Sequence, residues 1–358
     1  MKKIVLTGGG TAGHVTPNLA LIPKLKELGY EIYYIGSYDG IEKQLVSDEG
    51  IPYTGIATGK LRRYFDVKNF SDPFRVLKGA YEARRALQEI KPDVVFSKGG
   101  FVSVPVVYAA RRLHIPVICH ESDMTPGLAN RLSIPAATKV CCNFPETVDE
   151  LPAGKAVHTG TPIRAELTRG SREKALQFTG LSGEKPVILV TGGSLGAQAV
   201  NEAVRAALPE LLKEFDVIHL CGKGKTDPSF NETEGYLQYE YIKEELPDLF
   251  ALSDIAISRA GANSIFELLA LKKPALLIPL SAKASRGDQI LNARSFEKQG
   301  FSKVLEEEEL STERLVSDVR TLYAERDRYI TAMEQSRTTD AIAVITGLIE
   351  DCAHGTGR

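Results

Sequence analysis

The sequence predicts an α/β protein of two Rossmann-like domains facing a cleft, each a parallel sheet wound with helices. Three observations predict it. A chain of 358 residues exceeds what one core ordinarily organises. Short strands that are apolar throughout alternate with helical stretches, the pattern of parallel strands covered on both faces. The alternation also starts twice, each time with a strand running into a glycine-rich turn, at Gly8-Gly9-Gly10 and at Gly192-Gly193.

In the first half, Lys2–Thr7 reads as a strand, and Thr16–Leu28 as a helix with Leu19, Ile22, Leu25 and Leu28 at helical spacing. Glu31–Ile35 is a second strand and Asp93–Phe96 a third, bounded by Lys91-Pro92 and by Ser97-Lys98-Gly99-Gly100. A helix through Tyr108–Arg112 leads to strands at Ile115–His120 and Thr138–Cys142. The boundary falls near Thr159–Arg164, which gives domains 1–162 and 163–335. In the second domain, strand Pro186–Val190 is followed by a helix to about Glu214. Further strands are expected at Val217–Cys221, Tyr236–Tyr239, Asp254–Ser258 and Ala275–Pro279, with a helix at Ser264–Leu271. From Thr312 onward the pattern is helical. The last helix, within 336–358, carries Ala341, Val344, Ile345, Leu348 and Ile349 on one face and is expected to cross back to the first domain.

Composition narrows the class. Forty-four basic against 46 acidic residues, a net charge of −2, argue against nucleic acid as a partner. Hydrophobic residues at 43% and charged residues at 25% describe an ordinary folded chain. Cys119, Cys141, Cys142, Cys221 and Cys352 form no C-x-x-C pair and read as free thiols of a reducing compartment. The longest apolar stretch, Phe101–Ala110, is broken by Ser103 and Pro105 and falls well short of the ~20 residues that span a bilayer. The N-terminal apolar run is too short for a signal peptide, so a cytoplasmic chain is expected.

Ligands of open α/β sheets sit beyond the carboxyl ends of the strands. The turns Gly8–Gly13 and Gly192–Ala197 each follow a strand and open a helix, where amides can converge on an anion. Neither has the G-x-G-x-x-G or the G-K-[ST] spacing, and either alone could be a tight strand-to-helix turn. The pair points to a nucleotide diphosphate in one domain and a second phosphorylated partner in the other. His14, at a helix start that keeps imidazole neutral, can accept a hydroxyl proton or merely hydrogen-bond the helix. Ser264 and Glu267 fit a capping box, and Glu267 fits equally a carboxylate that accepts two ribose hydroxyls.

Taken together, Gly9–His14 (GGTAGH), Lys98-Gly99-Gly100, His120-Glu121-Ser122-Asp123, Gly160–Arg164 (GTPIR), Gly192–Ala197 (GGSLGA), Arg259–Ala262 (RAGA) and Asp288-Gln289 occur in a characteristic order. In these motifs the chain resembles the cytoplasmic-face N-acetylglucosaminyltransferases of bacterial peptidoglycan synthesis, in glycosyltransferase family 28. The resemblance runs from Ile4 to the final helix. It implies a GT-B fold and inverting transfer of N-acetylglucosamine from UDP-N-acetylglucosamine to the C4 hydroxyl of the muramyl sugar of lipid I, giving lipid II. It places the donor on the second domain: Ser194 and Gly196 at the diphosphate, Ala262, Asn263 and Ser264 along the nucleotide, Glu267 at the ribose, Gln289 at the sugar. Asn130 is expected at the sugar, Arg164 close to the donor from the hinge, and Thr11 and Gly13 in reach of it. The acceptor diphosphate falls to Gly9, Gly10, Thr11, Ala12 and Gly13, with His14 as base and Glu121 as the alternative. No metal and no cofactor are implied, in keeping with the lack of a D-x-D tract. Ser122-Asp123 stand where the family often has Gln-Asn, Asp288 where Gln is common, and Asn263 where an apolar residue is usual.

Lys60–Lys78 carries six basic residues against Asp66 and Asp72, a local +4, interleaved with Tyr64, Phe65, Phe70 and Phe74. With a lipid-linked acceptor implied, Arg62, Arg63, Phe65 and Phe70 read as a face for the anionic inner leaflet of the cytoplasmic membrane, on which the protein would sit peripherally. Other cell-wall synthesis enzymes could meet it there. Competing readings are a UDP-N-acetylglucosamine 2-epimerase on the same plan, with Glu121 and Asp123 beside the sugar, and a non-catalytic sugar-nucleotide sensor.

Overall fold

The computed structural model describes residues 2–59, 72–193, 196–336 and 340–355, with side chains from residue 75 onward in the second stretch. The chain forms two compact units. The first comprises Met1–Arg164 and Thr338–Arg358, the second Ala165–Arg337.

In chain order the first unit holds β1 (Lys2–Thr7), α1 (Thr16–Glu27), β2 (Tyr30–Ser37), α2 (Ile41–Asp48), β3 (Tyr53–Ile56), α3 (Asp72–Ile90), β4 (Val94–Ser97), α4 (Ser103–Arg112), β5 (Val117–Glu121), α5 (Leu128–Ser133), β6 (Lys139–Cys142), α6 (Pro145–Asp149) and β7 (Ala156–His158). Among the described residues its strands form one parallel sheet in the order β3-β2-β1-β4-β5-β6-β7. The second unit follows with α7 (Arg172–Thr179), β8 (Val187–Thr191), α8 (Gln198–Leu211), β9 (Asp216–Leu220), β10 (Tyr236–Tyr239), α9 (Leu246–Leu252), β11 (Ile255–Ser258), α10 (Ala262–Ala270), β12 (Ala275–Leu277), α11 (Asp288–Lys298), β13 (Ser302–Val304), α12 (Thr312–Ala324) and α13 (Arg326–Glu334). Its parallel sheet runs β10-β9-β8-β11-β12-β13. The α/β class with two Rossmann-like sheets is therefore as the sequence predicted.

In each sheet the first strand is central and marks the reversal of strand order. Leu6 lies opposite Tyr34 on β2 and Phe96 on β4, and Val190 lies opposite His219 on β9 and Ile257 on β11. Such a reversal parts the loops on either side and opens a crevice at the strand's carboxyl end. Both glycine turns stand there.

α14 (Ala341–Gly355) returns the chain to the first unit. Ile345 and Ile349 are fully buried in one cluster with Leu21, Leu25, Phe96 and Ile118. Lys2 on β1 meets Glu350 at 2.6 Å. Three strands were not expected from sequence: β3, β7 and β13. Each is a sheet edge, short and only partly covered, so it has no need to be apolar throughout. Cys119, Cys141, Cys142 and Cys221 are buried free thiols, and Cys352 is half-buried.

Candidate active site

The first unit's glycine turn leaves β1 after Thr7 and closes into a single 3-10 turn at Ala12–His14 before α1 begins. The Thr11 hydroxyl lies 3.0 Å from His14 Nδ1. Burial, then the charge of Lys98, pushes the His14 pKa down to about 4. The neutrality expected of His14 is present, but its leading causes are burial and a lysine rather than the start of a helix.

The turn also holds a group that sequence reasoning missed. Glu42 of α2 is completely buried, and its Oε2 accepts the Gly10 N–H at 3.1 Å. Its Oε1 accepts the Ser37 N–H at 3.0 Å and the Ser37 hydroxyl at 2.5 Å. A Cβ on Gly9 would fall 2.4 Å from the Glu42 carboxyl carbon, which is why only glycine fits there. Burial raises the Glu42 pKa, yet the Ser37 hydroxyl and the surrounding amides bring it below the ordinary value. One consequence bears on the anion cradle expected over Gly9–Gly13: the Gly10 amide already faces a carboxylate of the protein.

β5 delivers His120 and Glu121 to the same end of the sheet. His120 Nε2 donates to the Gly160 carbonyl at 3.1 Å, so the buried Nδ1 carries the lone pair. Burial and Lys98 hold its pKa well below the usual range. Glu121 accepts from the Asp123 N–H at 2.9 Å, the Gly127 N–H at 3.1 Å and the Asn130 amide at 2.8 Å. Burial and the Asp123 charge raise its pKa. Glu121 thus clamps the loop that follows β5. Asn130 is tied into that clamp, donating also to the His120 carbonyl at 3.1 Å. Lys98, 1% exposed, donates to the Ser122 hydroxyl. Burial lowers its pKa to about 8 against the opposing pull of Glu121 and Asp123.

In the second unit, Ser194 lies outside the described residues. Gly196 has φ +66°, and a Cβ there would stand 1.9 Å from the Cys221 carbonyl oxygen, so the turn presses directly on the loop after β9. The capping-box reading of Ser264 and Glu267 does not hold: α10 starts at Ala262 with Gly261 as its cap and no side-chain cap hydrogen bond. Ser264 and Glu267 sit one turn apart inside the helix. They line a cavity of about 150 Å³ together with Thr191, Gly193, Leu220, Glu240, Tyr241, Ile242, Leu246, Phe250, Ser258 and Leu268. The lining combines apolar Leu220, Ile242, Leu246, Phe250 and Leu268 with the hydroxyls of Thr191, Tyr241, Ser258 and Ser264 and the carboxylates of Glu240 and Glu267. The loop Glu240–Ile242 was not singled out from sequence, because an irregular segment carries no periodic signal.

Ala262 is buried and Asn263 half-buried in the first turn of α10. Gln289, in the first turn of α11, accepts the Leu280 N–H through Oε1 at 3.0 Å, which leaves its NH2 group as the donor it can offer. Asp288 pairs with Arg286 at 2.6 Å. Arg164 belongs to the first unit, where its Nε has no hydrogen-bond partner among the described residues. Arg62, Arg63, Phe65 and Phe70 lie outside the described residues. Beyond them α3 exposes Val76, Leu77 and Tyr81.

The N-terminal domain model of glycosyltransferase family 28 matches residues 4–142, and the C-terminal domain model of the same family matches residues 187–345. A UDP-N-acetylglucosamine–N-acetylmuramyl-(pentapeptide) pyrophosphoryl-undecaprenol N-acetylglucosamine transferase from Lachnospira eligens is 65% identical over 351 residues, covering 98% of this chain and 99% of that one. Among solved structures, Acinetobacter baumannii MurG superposes with a TM-score of 0.77 at 26% identity, over 98% of this chain and all of that one. A UDP-GlcNAc 2-epimerase from Neisseria meningitidis bound to UDP-GlcNAc gives a TM-score of 0.67 at 14% identity, covering 98% of this chain and 100% of that one, a likeness of fold alone.

Proposed function

Since the chain belongs to glycosyltransferase family 28, we propose that it transfers N-acetylglucosamine from UDP-N-acetylglucosamine to undecaprenyl-diphosphate-linked N-acetylmuramyl-pentapeptide, lipid I, and makes lipid II for peptidoglycan. The observation that carries this is the 65% identity, held over nearly the whole length of both chains, to a transferase of that name. The epimerase reading rests on fold alone and is set aside.

The second unit's cavity supports the placement of the donor. Its apolar lining suits a flat base, and Glu267 in the same lining suits a ribose diol, with Ser264 one turn earlier suited to the phosphates. The turn at Gly196, just ahead of α8, and the start of α10 at Ala262 would meet the diphosphate, whose charge grows as UDP departs. Gln289 would offer its NH2 group to the sugar.

For the acceptor, His14 is the base. The attacking hydroxyl gives its proton to the neutral imidazole as its oxygen bonds to the anomeric carbon. The bond from that carbon to the UDP oxygen breaks with its electron pair, and the anomeric centre inverts. Glu121 serves by holding the 123–130 loop, and the acceptor diphosphate is left to Thr11, Ala12 and Gly13, past the Gly10 amide.

We place the enzyme peripherally on the cytoplasmic leaflet. Among the described residues no helix is long and apolar enough to cross a membrane. The exposed Val76 and Leu77 stand within the basic and aromatic run of Lys60–Lys78, and the exposed Tyr81 extends it along α3. Co-sedimentation with vesicles containing anionic lipid should weaken when Arg62, Arg63 and Phe65 are replaced together, and unchanged binding removes this face.

The reaction itself is tested by supplying UDP-N-acetylglucosamine with and without a lipid I analogue. UDP release that requires the acceptor is expected. Conversion to UDP-N-acetylmannosamine without acceptor, or binding with no turnover, overturns the proposal.

A further inference from the structure

We infer that Lys98 and Glu42 are opposed charges, both packed against the Gly8–Gly10 turn, that together set the protonation of His14. A Cβ on Gly8 would stand 3.1 Å from Lys98 Cβ and 2.5 Å from the His14 carbonyl, so the lysine stem lies against the turn that carries the histidine. The Lys98 N–H donates to the Thr7 carbonyl at 2.9 Å, fixing that stem to β1. On the other strand neighbour, the Glu42 carboxyl fills a cage in which Cβ atoms on Gly9, Gly36 or Gly40 would come within 3 Å of its side chain.

Both groups are buried, where ionised side chains are rare unless paired. The hydrogen bonds to Glu42 come from neutral donors, the Gly10 and Ser37 amides and the Ser37 hydroxyl, and among the described residues it has no ion pair. Lys98 donates to a neutral hydroxyl, with Glu121, Asp123 and Cys141 as the other titratable groups facing it besides His14 and His120. Tyr34 and Tyr53 face Glu42. Both charges stand at the turn from which His14 follows, while the Thr11–His14 hydrogen bond faces solvent, so their opposed pulls on the imidazole are partly screened. The lysine favours neutral His14 and the glutamate favours its cation.

The assignment rests on His14 as the base. A base must be neutral before it meets the hydroxyl and must tolerate charge once it holds the proton. Lys98 secures the first condition and Glu42 the second. Both are positioning residues, since neither is argued to touch substrate.

The test is a titration of the intact protein with 13C-labelled histidine, His14 being identified as the resonance lost in His14→Gln. In Lys98→Met the His14 pKa should rise by about half a unit or more, and the acid limb of kcat/KM should rise with it. In Glu42→Gln the His14 pKa should fall. Simple loosening of the turn would wet the imidazole and raise the value in both variants, so movement in the same direction overturns the proposal. No movement in Lys98→Met also overturns it. Should that variant not fold, Lys98→Gln keeps a donor for Ser122 and must give the same sign. Turnover of His14→Gln is read separately: normal turnover there removes His14 as the base without touching the titration result.

Discussion

Replacing Glu267 by alanine separates two roles that the sequence left entangled. The structure shows α10 capped at Gly261 with Glu267 inside the helix, so no cap is lost. A lost cap would cost about 1 kcal/mol, whereas alanine at an internal position slightly favours the helix. Against this, a carboxylate that accepts both hydroxyls of a ribose makes two charge-assisted hydrogen bonds at about 1.5–3 kcal/mol each. Their loss gives at least about 3 kcal/mol, or ~10²-fold in donor affinity. Calorimetric titration with UDP-N-acetylglucosamine, alongside a thermal melt of the unliganded protein, reads both quantities. The expected result is donor binding weakened by about two decades, with the unliganded protein still melting in one cooperative transition. Unchanged affinity, or a destabilised fold with affinity intact, would refute the assignment of Glu267 to the ribose.

His14→Ala should lower turnover by ~10²–10⁴-fold while donor affinity stays nearly intact, as steady-state kinetics beside the same calorimetry will read. Gly196→Ala must force its Cβ off the Cys221 carbonyl from a left-handed backbone. A loss of roughly 2 kcal/mol or more in denaturant unfolding is expected, and wild-type stability would mean the turn yields freely. His219 is fully buried between Tyr236 and Asn201, and burial lowers its pKa from 6.5 to about 3. Between those values the unfolded chain binds the proton and the folded chain does not, so this contribution is intact above pH 6.5 and is lost as pH falls toward 3. At pH 5 the loss is about 2 kcal/mol, and His219→Gln should flatten that part of the stability profile.

What was legible in the sequence follows from which forces act locally. The central strands announced themselves because burial on both faces demands apolar residues throughout, as in Ile4-Val5-Leu6 and Ile188-Leu189-Val190, all fully buried. The edge strands β3, β7 and β13 escaped notice because an edge relaxes that demand. The glycine turns were visible, but not what fills them. Glu42 meets glycines at positions 9, 36 and 40, brought together only by β1–β2 pairing and the turn into α2. Lys98 was read only as part of the Lys98-Gly99-Gly100 motif, and nothing in Ser97-Lys98-Gly99 tells that it is sealed from water. Ser264 and Glu267 were found at once, yet their spacing fits a cap and a ligand wall equally, since residues three apart share one helix face in either case.

The return of α14 to the first unit has a consequence for the birth of the protein. Ile345 and Ile349 are part of the core around Leu21 and Phe96, yet they are synthesised only after the whole second unit. The second unit is continuous in sequence and can fold as soon as it has left the ribosome, whereas the first must wait until α14 has emerged. At roughly 5–20 residues per second, that leaves the apolar face of α1 without its cover for about 20–70 s. During this interval the nascent chain presents an uncovered apolar surface. Chaperone capture is therefore expected to act on the early half of the sequence, and truncations that remove α14 should fail at folding rather than at catalysis.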